Sequence, residues 1–326
     1  EVAQETCRYR PMGERKYKQI SKLLRESGIL LRNFFELERE DGHLEISLTM
    51  KMISEKYTKL GEQVCIDDVA DFISVALNTR LREAKNMPQY LTPEWNTYYF
   101  AEEANYHLLT GVAKAVKETE HISGDNYSFY EAENGRMVAV LSDGMGSGEK
   151  ACDDSERIIE KMERLLEAGF RKETAVQMIN GALVAAGQEE HMSTLDLCDI
   201  NMYTGACEFV KAGAACSYIK RGRLVDRLSA LNFPLGVFGQ IEPERMQRVL
   251  QSGDYVIMLS DGILDALSQG LGEEMLPEII GRIEYTNPNE IANQILAYCL
   301  KQSNGQVRDD MTVLVIGIWG RDEDEL

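Results

Sequence analysis

Val140-Leu141-Ser142-Asp143-Gly144 is an apolar run that stops on Asp-Gly, and Met258-Leu259-Ser260-Asp261-Gly262 repeats it almost letter for letter. Short apolar runs bounded by turn residues mark buried strands. A buried strand that ends on an aspartate delivers a carboxylate to the rim of its sheet, and two such strands can aim two carboxylates at one point. Asp-Gly is also a common turn, so either copy alone carries little weight. A third acidic spot, Arg308-Asp309-Asp310, stands just before the apolar run Val313-Leu314-Val315-Ile316, and a fourth, Ser123-Gly124-Asp125-Asn126, opens a further strand.

Charges grouped at the edge of a core need compensation, and a divalent cation is the simplest compensation for several carboxylates together. The pattern therefore predicts a two-ion site. All-oxygen ligation selects Mg²⁺ or Mn²⁺ over Zn²⁺. The four histidines, at 43, 107, 121 and 191, have no metal-ligand spacing, so zinc chemistry and histidine acid–base catalysis are not expected. The glycine after each aspartate has no Cβ and lets its own carbonyl approach the same ion. Two such ions would supply an activated water and steady a phosphoryl oxygen, which points to phosphate-ester hydrolysis.

The glycine run that continues the first copy, Gly144-Met145-Gly146-Ser147-Gly148-Glu149-Lys150, fits neither a P-loop nor a dinucleotide fingerprint. It is expected to form a flexible lead into two tandem amphipathic helices, 148–168 and 173–186. Strands are predicted at 105–117, 125–131, 136–142, 195–203, 206–211, 215–220, 223–228, 245–250, 254–260 and 311–318, with further helices near 273–282 and 289–302. Short Gly-containing turns between several strands favour antiparallel neighbours. Two sheets packed face to face with helices outside are the expected result.

Before residue 105 the pattern differs. Tyr17, Ile20, Leu24, Ser27, Leu31 and Phe34 fall on one helical stripe, which predicts a helix over 14–40, either packed on its own domain or forming a dimer seam. Leu44, Ile46, Leu48, Met50 and Met52 alternate with polar residues as in a half-buried strand. A helix over 62–82, a proline-bearing loop over 86–94 and an aromatic strand near Tyr98-Tyr99-Phe100 complete a small α+β unit. The expected organisation is a regulatory and dimerisation segment at 1–104, a catalytic domain at 105–320 and an acidic tail at 321–326.

The chain has 326 residues and a formal charge of −19, from 35 Lys plus Arg against 54 Asp plus Glu. So acidic a chain is not expected to bind nucleic acid, and a different two-metal hydrolase such as a nuclease is disfavoured on that ground. Seven cysteines without a C-x-x-C pair are expected to be reduced packing thiols. No stretch approaches the ~18 apolar residues of a spanning helix. A cytoplasmic location is expected for this fragment, with anchorage in the cell membrane only through a region preceding residue 1.

Eight motifs in order carry a family resemblance: Ser123-Gly-Asp-Asn, Leu141-Ser-Asp-Gly-Met-Gly-Ser-Gly, Ser193-Thr-Leu-Asp-Leu, Lys211-Ala-Gly-Ala, Ile219-Lys-Arg-Gly, Pro234-Leu-Gly, Met258-Leu-Ser-Asp-Gly-Ile-Leu-Asp and Arg308-Asp-Asp-Met-Thr. Over residues 105–319 the chain resembles the PPM (PP2C-type) serine/threonine phosphatases, in particular the bacterial sporulation type. The resemblance implies an α+β fold, an α-β-β-α sandwich of two mainly antiparallel sheets with a small N-terminal regulatory unit. It implies two Mn²⁺ or Mg²⁺ ions: Asp143 bridging both, the Gly144 carbonyl on one, Asp261 and Asp309 on the other, and Asp125 acting through metal-bound water. The role of Asp310, a place often held by Asn in eukaryotic relatives, stays open. Those relatives also grip phosphate with an Arg upstream of the first acidic motif, whereas this chain reads Lys117-Glu-Thr-Glu-His121.

The resemblance further implies a phosphoserine substrate on an anti-anti-sigma factor-like protein, control of a sigma factor, and a homodimer. It implies a switch in which the helix pair, through Gly146, Gly148, Ile158 and Met162, repositions to complete the metal site. A catalytically silent interaction module and a purely structural dimer are the alternatives.

Overall fold

The computed structural model describes residues 8–38, 43–53, 64–84, 87–132, 135–146, 148–186, 192–268 and 273–321. They form two units, one before and one after the boundary at 104/105.

In the first unit, strands β1 (Arg8–Pro11), β2 (Ile29–Glu38), β3 (Leu44–Met52), β4 (Leu81–Glu83) and β5 (Asn96–Glu102) make one antiparallel sheet in the order β1-β2-β3-β5-β4. Helices α1 (Glu14–Glu26) and α2 (Ile66–Leu77) supply the rest of the core. Ile20 and Leu24 of α1 and Ile66, Val69 and Ile73 of α2 pack with Ile46, Leu48, Met50, Tyr98 and Phe100 of the sheet. The alternation predicted for 44–52 is met, with Ile46, Leu48 and Met50 fully buried.

The helix expected over 14–40 is corrected. It stops at Glu26, Gly28 turns the chain with a φ of 82°, and residues 29–38 are a strand paired to β3. A positive φ suits glycine and ends the helix. Pairing of Ile29–Glu38 along the whole of β3 then outweighs a three-four spacing that runs on across the break by coincidence. The proposed seam is therefore split between a helix and a strand, and Ile20, Leu24 and Phe34 fill the unit's own core. The helix expected over 62–82 spans only Ile66–Leu77: Asn78 adopts φ 54° at its end, and Ser74 Oγ accepts the Leu81 N–H at 2.9 Å to begin β4. Residues 62 and 63 of the expected helix and residue 86 of the expected loop lie outside the described residues.

The second unit bears out the expected sandwich. One sheet has the order β13-β10-β9-β8-β7, from β7 (Asp125–Ala132), β8 (Arg136–Asp143), β9 (Leu195–Asn201), β10 (Ala206–Ala212) and β13 (Glu244–Val249). The other has the order β12-β11-β14-β15-β6, from β6 (Tyr106–Ala115), β11 (Ser217–Arg221), β12 (Leu224–Leu228), β14 (Asp254–Leu259) and β15 (Met311–Gly320). Every pairing is antiparallel. Leu141, Cys198, Phe209, Val256, Met258, Leu314 and Ile316 fill the space between the sheets.

Helices α3 (Gly148–Glu167) and α4 (Lys172–Ala185) cover the outer face of the first sheet, where Ile158, Met162, Val176 and Ile179 meet Val138, Val140 and Leu197. Helices α5 (Asp261–Ser268), α6 (Leu276–Gly281) and α7 (Pro288–Gln302) cover the other sheet. Alternate residues of one strand thus face two apolar layers, which is why these strands read as continuous apolar runs. Helix α5, which Asp261 opens, is not among the helices expected from sequence. The described cysteines are all free thiols, and none of the described helices is long and apolar enough to cross a membrane. Apart from Arg321, the acidic tail lies outside the described residues.

Candidate active site

The carboxylates gather where the two sheets end together. Asp143 closes β8 and Asp125 opens β7, and the antiparallel register sets them directly opposite each other. On the other sheet β14 runs out at Leu259 beside the start of β15, so Asp261 follows one strand and Asp309 and Asp310 precede its neighbour. Ser260 ties these two ends: its N–H donates to the Thr312 carbonyl, and its Oγ accepts the Thr312 N–H at 2.8 Å. Thr312 Oγ1 then donates across the sandwich to Asp125 Oδ2 at 2.6 Å. Each aspartate is delivered by a strand whose register its apolar faces fix.

Crowding acidic groups in a partly dry rim raises their affinity for protons. Burial, then the charges of Asp125, Asp261 and Asp309 and a hydrogen bond with Asp261, lift Asp143 well above the ordinary carboxylate range. Burial and the neighbouring charges of Asp309 and Asp265 raise Asp261 as well. Asp125, 1% exposed, is pushed up to about 6, chiefly by burial, against the opposing effects of its bonds to Thr312 and Ser260 and the charge of Lys114.

The backbone around Asp143 is held on both sides. Its N–H donates to Thr194 Oγ1 at 3.0 Å, and its carbonyl accepts from the Thr194 N–H at 2.9 Å and from Ser193 Oγ at 2.5 Å. Ser193 also pairs through its backbone with Leu235, which links Asp143 to the 229–243 loop. Gly144 lies under α3, and a Cβ there would come within 2.1 Å of the Ala151 carbonyl oxygen. Gly262 is pressed in the same way on the Asp310 carbonyl oxygen, again at 2.1 Å. Both glycines are therefore required by close packing, a reason beyond the carbonyl access anticipated from sequence.

Asp310 has a definite task. Its Oδ1 accepts the Lys117 N–H at 2.9 Å and its Oδ2 the Gly124 N–H at 2.7 Å. With both oxygens engaged by backbone donors, Asp310 clamps the segment 117–124 rather than standing ready as a ligand. Of the sequence-predicted residues, Asp125, Asp143, Asp261 and Asp309 are brought into mutual electrostatic contact. Gly148 starts α3, Gly146 has a φ of 112°, and Ile158 and Met162 lie in the apolar layer between helices and sheet. Helix α3 is latched to the start of β7 by Ser155 Oγ, which donates to the Gly124 carbonyl at 2.6 Å, and by Asn126 Nδ2, which donates to the Cys152 carbonyl at 2.9 Å.

Asn126, Ser193, Thr194, Ser260 and Thr312 lie within the motifs but outside the residues expected to act; a hydroxyl or amide close in sequence to an aspartate is the available signal. Lys211, also within a motif, lies far from solvent: its ammonium meets Asp196 Oδ2 at 2.5 Å, Ser217 Oγ at 2.8 Å and the Ala215 carbonyl at 2.7 Å, stitching β9 and β10 to β11 of the opposite sheet.

Among the described residues no three His, Cys, Asp or Glu side chains form a ready-made metal cage. The donor chemistry nevertheless fits hard divalent ions. Every nearby candidate is a carboxylate or carbonyl oxygen, and Asp125 Oδ1 is buried with no hydrogen-bond partner. An orphaned buried acceptor beside mutually repelling carboxylates suits a cation or its bound water.

A family model described as stage II sporulation protein E (SpoIIE) matches residues 133–319, more than half of the chain. The chain belongs to the SpoIIE family. It is 29% identical to stage II sporulation protein E of Bacillus subtilis over 92% of its own length and 36% of that protein's. The Priestia megaterium SpoIIE is also 29% identical, over 91% of this chain and 50% of that protein. The chain thus spans half or less of these relatives. Phosphoserine phosphatase RsbU of B. subtilis is 22% identical over 60% of each chain. Among solved structures, the PP2C phosphatase domain with a fragment of the regulatory domain of B. subtilis SpoIIE matches with a TM-score of 0.69 and 29% identity, over 94% of this chain and 87% of that one. The SpoIIE-family phosphatase fold, with part of a regulatory region before it, is therefore the architecture of this chain.

Proposed function

We propose that this SpoIIE-family chain is a divalent-metal-dependent protein phosphatase that hydrolyses phosphoserine on a small regulatory protein of the anti-anti-sigma type and so controls a sigma factor. The observation that carries the reading is the convergence of Asp125, Asp143, Asp261 and Asp309 from both sheets onto one end of the sandwich. The names borne by SpoIIE and RsbU relatives support it.

In this reading Asp143, the Gly144 carbonyl, Asp261 and Asp309 hold two Mn²⁺ or Mg²⁺ ions. When bound, these supply an activated water and screen the charge of the phosphoryl group. The chain's own residues do the positioning. Thr194 and Ser193 fix the backbone of Asp143. Thr312 orients Asp125 and leaves Oδ1 free to accept from water. Asp310 fixes the loop that leads into Asp125.

The latch of Ser155 and Asn126 on the entry to β7 gives α3 a direct connection to the site, which supports the switch reading of the helix pair. The unit before residue 105 would act on that switch, through dimerisation of the chain, and would connect to a membrane region in a longer protein. Removal of residues 1–104 is expected to change metal-dependent activity several-fold.

Phosphate release from a phosphoserine protein with and without Mn²⁺, comparing wild type with Asp143→Ala and Asp261→Asn, tests the reading. Metal-dependent release lost in both variants is expected. Release that ignores the metal or the substitutions would overturn it. The alternative reading is a catalytically silent interaction module. That alternative predicts no release from wild type with any divalent ion.

A further inference from the structure

Asn180 lies within α4, buried together with the apolar Ala175, Val176 and Ile179. Asparagine is a poor helix former, and a buried amide is costly unless its donor and its acceptor are both used. Here both are used, and by one short segment. Asn180 Nδ2 donates to the Phe238 carbonyl at 2.9 Å, and Oδ1 accepts the Gly236 N–H at 2.9 Å. The loop 229–243 is thereby tied to the helix pair by its main chain. Leu235, next to Gly236, is fully buried in the apolar layer that holds Ile158, Met162 and Ile179.

The next contact leads to the carboxylates. The Leu235 N–H donates to the Ser193 carbonyl at 2.9 Å, and the Ser193 N–H donates to the Leu235 carbonyl at 3.3 Å. Ser193 is fully buried; its Oγ donates to the Asp143 carbonyl at 2.5 Å and lies 2.9 Å from Ser142 Oγ. From Asn180 to Asp143 the connection therefore runs through Gly236, Leu235 and Ser193, each step a hydrogen bond or a peptide bond. Helix α3 reaches the Asp125 side of the site through Ser155 and Asn126, whereas α4 reaches Asp143 by this separate route.

We infer that Asn180 is a positioning residue for Asp143, acting through the loop 229–243 and Ser193. The kinetic part of this rests on the phosphatase reading above. Apolar packing of Leu235 holds the loop against the helices but has little direction of its own. Hydrogen bonds are directional, so the two at residues 236 and 238 fix where the loop lies along α4. That in turn fixes where Leu235 holds Ser193, and how squarely Ser193 meets the Asp143 carbonyl. A site built from carboxylates needs its supporting residues locked as firmly as the carboxylates themselves.

The test compares wild type, Asn180→Leu, Asn180→Ala, Ser193→Ala and the Asn180→Leu/Ser193→Ala double variant by steady-state phosphate release from a phosphoserine protein in saturating Mn²⁺. Amide hydrogen exchange of the metal-free proteins is the second readout. Leucine keeps the branching of asparagine and makes neither bond, whereas alanine leaves room for a water to take up the two main-chain groups. Asn180→Leu is expected to lower kcat about tenfold with KM held within about twofold, the signature of an altered reacting geometry. Asn180→Ala should lower kcat less. In the Ser193→Ala background the leucine substitution should change kcat by less than about twofold, because the route is already cut. Exchange in Asn180→Leu should quicken at Leu235 and also beyond the loop, at Thr194 and Met145, whose N–H groups donate to the Asp143 and Met192 carbonyls. Unchanged kcat in the folded Asn180 variants, losses that multiply in the double variant, or faster exchange confined to the loop would each overturn the assignment. So would a raised KM with kcat intact, which places the loop in substrate docking. If Asn180→Leu does not fold, Asn180→Ala carries the same comparisons. A wild type that releases no phosphate with any divalent ion fails the phosphatase reading, while the exchange result still decides whether Asn180 holds the backbone around Asp143.

Discussion

Asp125 and Asp143 are direct cross-strand partners at the end of the β7–β8 pair. Like charges opposite each other destabilise a strand pair, and here both members are withdrawn from bulk water. The destabilisation persists because the same pairing makes the site.

Asp125→Asn removes one charge while keeping an oxygen for the Thr312 hydroxyl. Without metal, the variant is expected to be more stable than wild type at pH 8 by on the order of 1–2 kcal/mol. The sign follows from the raised folded-state pKa of about 6, due first to burial. The wild-type group contributes stability that is fully present below its unfolded value near 3.8 and is lost as pH rises through 6. The gap between the two proteins should therefore widen from pH 4 to 6 and level off above. Urea denaturation in EDTA across that range checks it; a gap that narrows with rising pH would contradict the electrostatic account.

Gly144→Ala is expected to destabilise the protein by about 2–3 kcal/mol and to reduce phosphate release, since a Cβ 2.1 Å from the Ala151 carbonyl oxygen forces α3 away from the strand. Chemical denaturation beside an activity assay would show both effects. An alanine variant with wild-type stability would mean that α3 does not rest on Gly144 in solution.

Thr194→Val deletes the acceptor for the Asp143 N–H and leaves the side chain's volume. Its stability cost is about 1 kcal/mol. The predicted kinetic signature is a kcat about tenfold lower with KM for the phosphoprotein unchanged, because a shifted Asp143 alters the reacting geometry and not substrate docking. A KM effect without a kcat effect would place Thr194 in recognition instead.

Lys211→Ala leaves Asp196 buried without its cation. A loss of about 3–5 kcal/mol is expected, whereas Lys211→Met combined with Asp196→Leu should recover most of it. Thermal melts of the single and double variants distinguish a buried ion pair that holds the two sheets from one without energetic consequence.

The sandwich was legible because its strands bury both faces: Val138 and Val140 face the helices while Ala139 and Leu141 face the other sheet, and such runs stand out from their Gly-marked turns. The carboxylates were legible for a related reason, since aspartates recur at the ends of several apolar runs within one domain, which a single chance turn does not explain. The first unit was harder. Residues 14–34 keep a three-four spacing across Gly28, and only pairing with β3, a contact remote in sequence, makes 29–38 a strand. The same limit hid the work of Asp310: its partners, Lys117 and Gly124, are nearly two hundred residues away. From sequence the role of Asp310 stays open, and nothing local reveals the clamp.

The near-repeat of Asp-Gly at 143–144 and 261–262 has a final consequence. In each copy the aspartate faces the site while the glycine rests against a main-chain oxygen of a different segment, Ala151 in one case and Asp310 in the other. Neither oxygen can be trimmed by substitution, because it belongs to the backbone. The two dipeptides therefore behave as indivisible letters: a lineage could abandon the carboxylate and keep the fold unstrained, whereas exchanging the glycine strains both fold and site. Glycine at 144 and 262 is consequently a marker of this architecture that should outlast the chemistry in any relative that has stopped turning over phosphate.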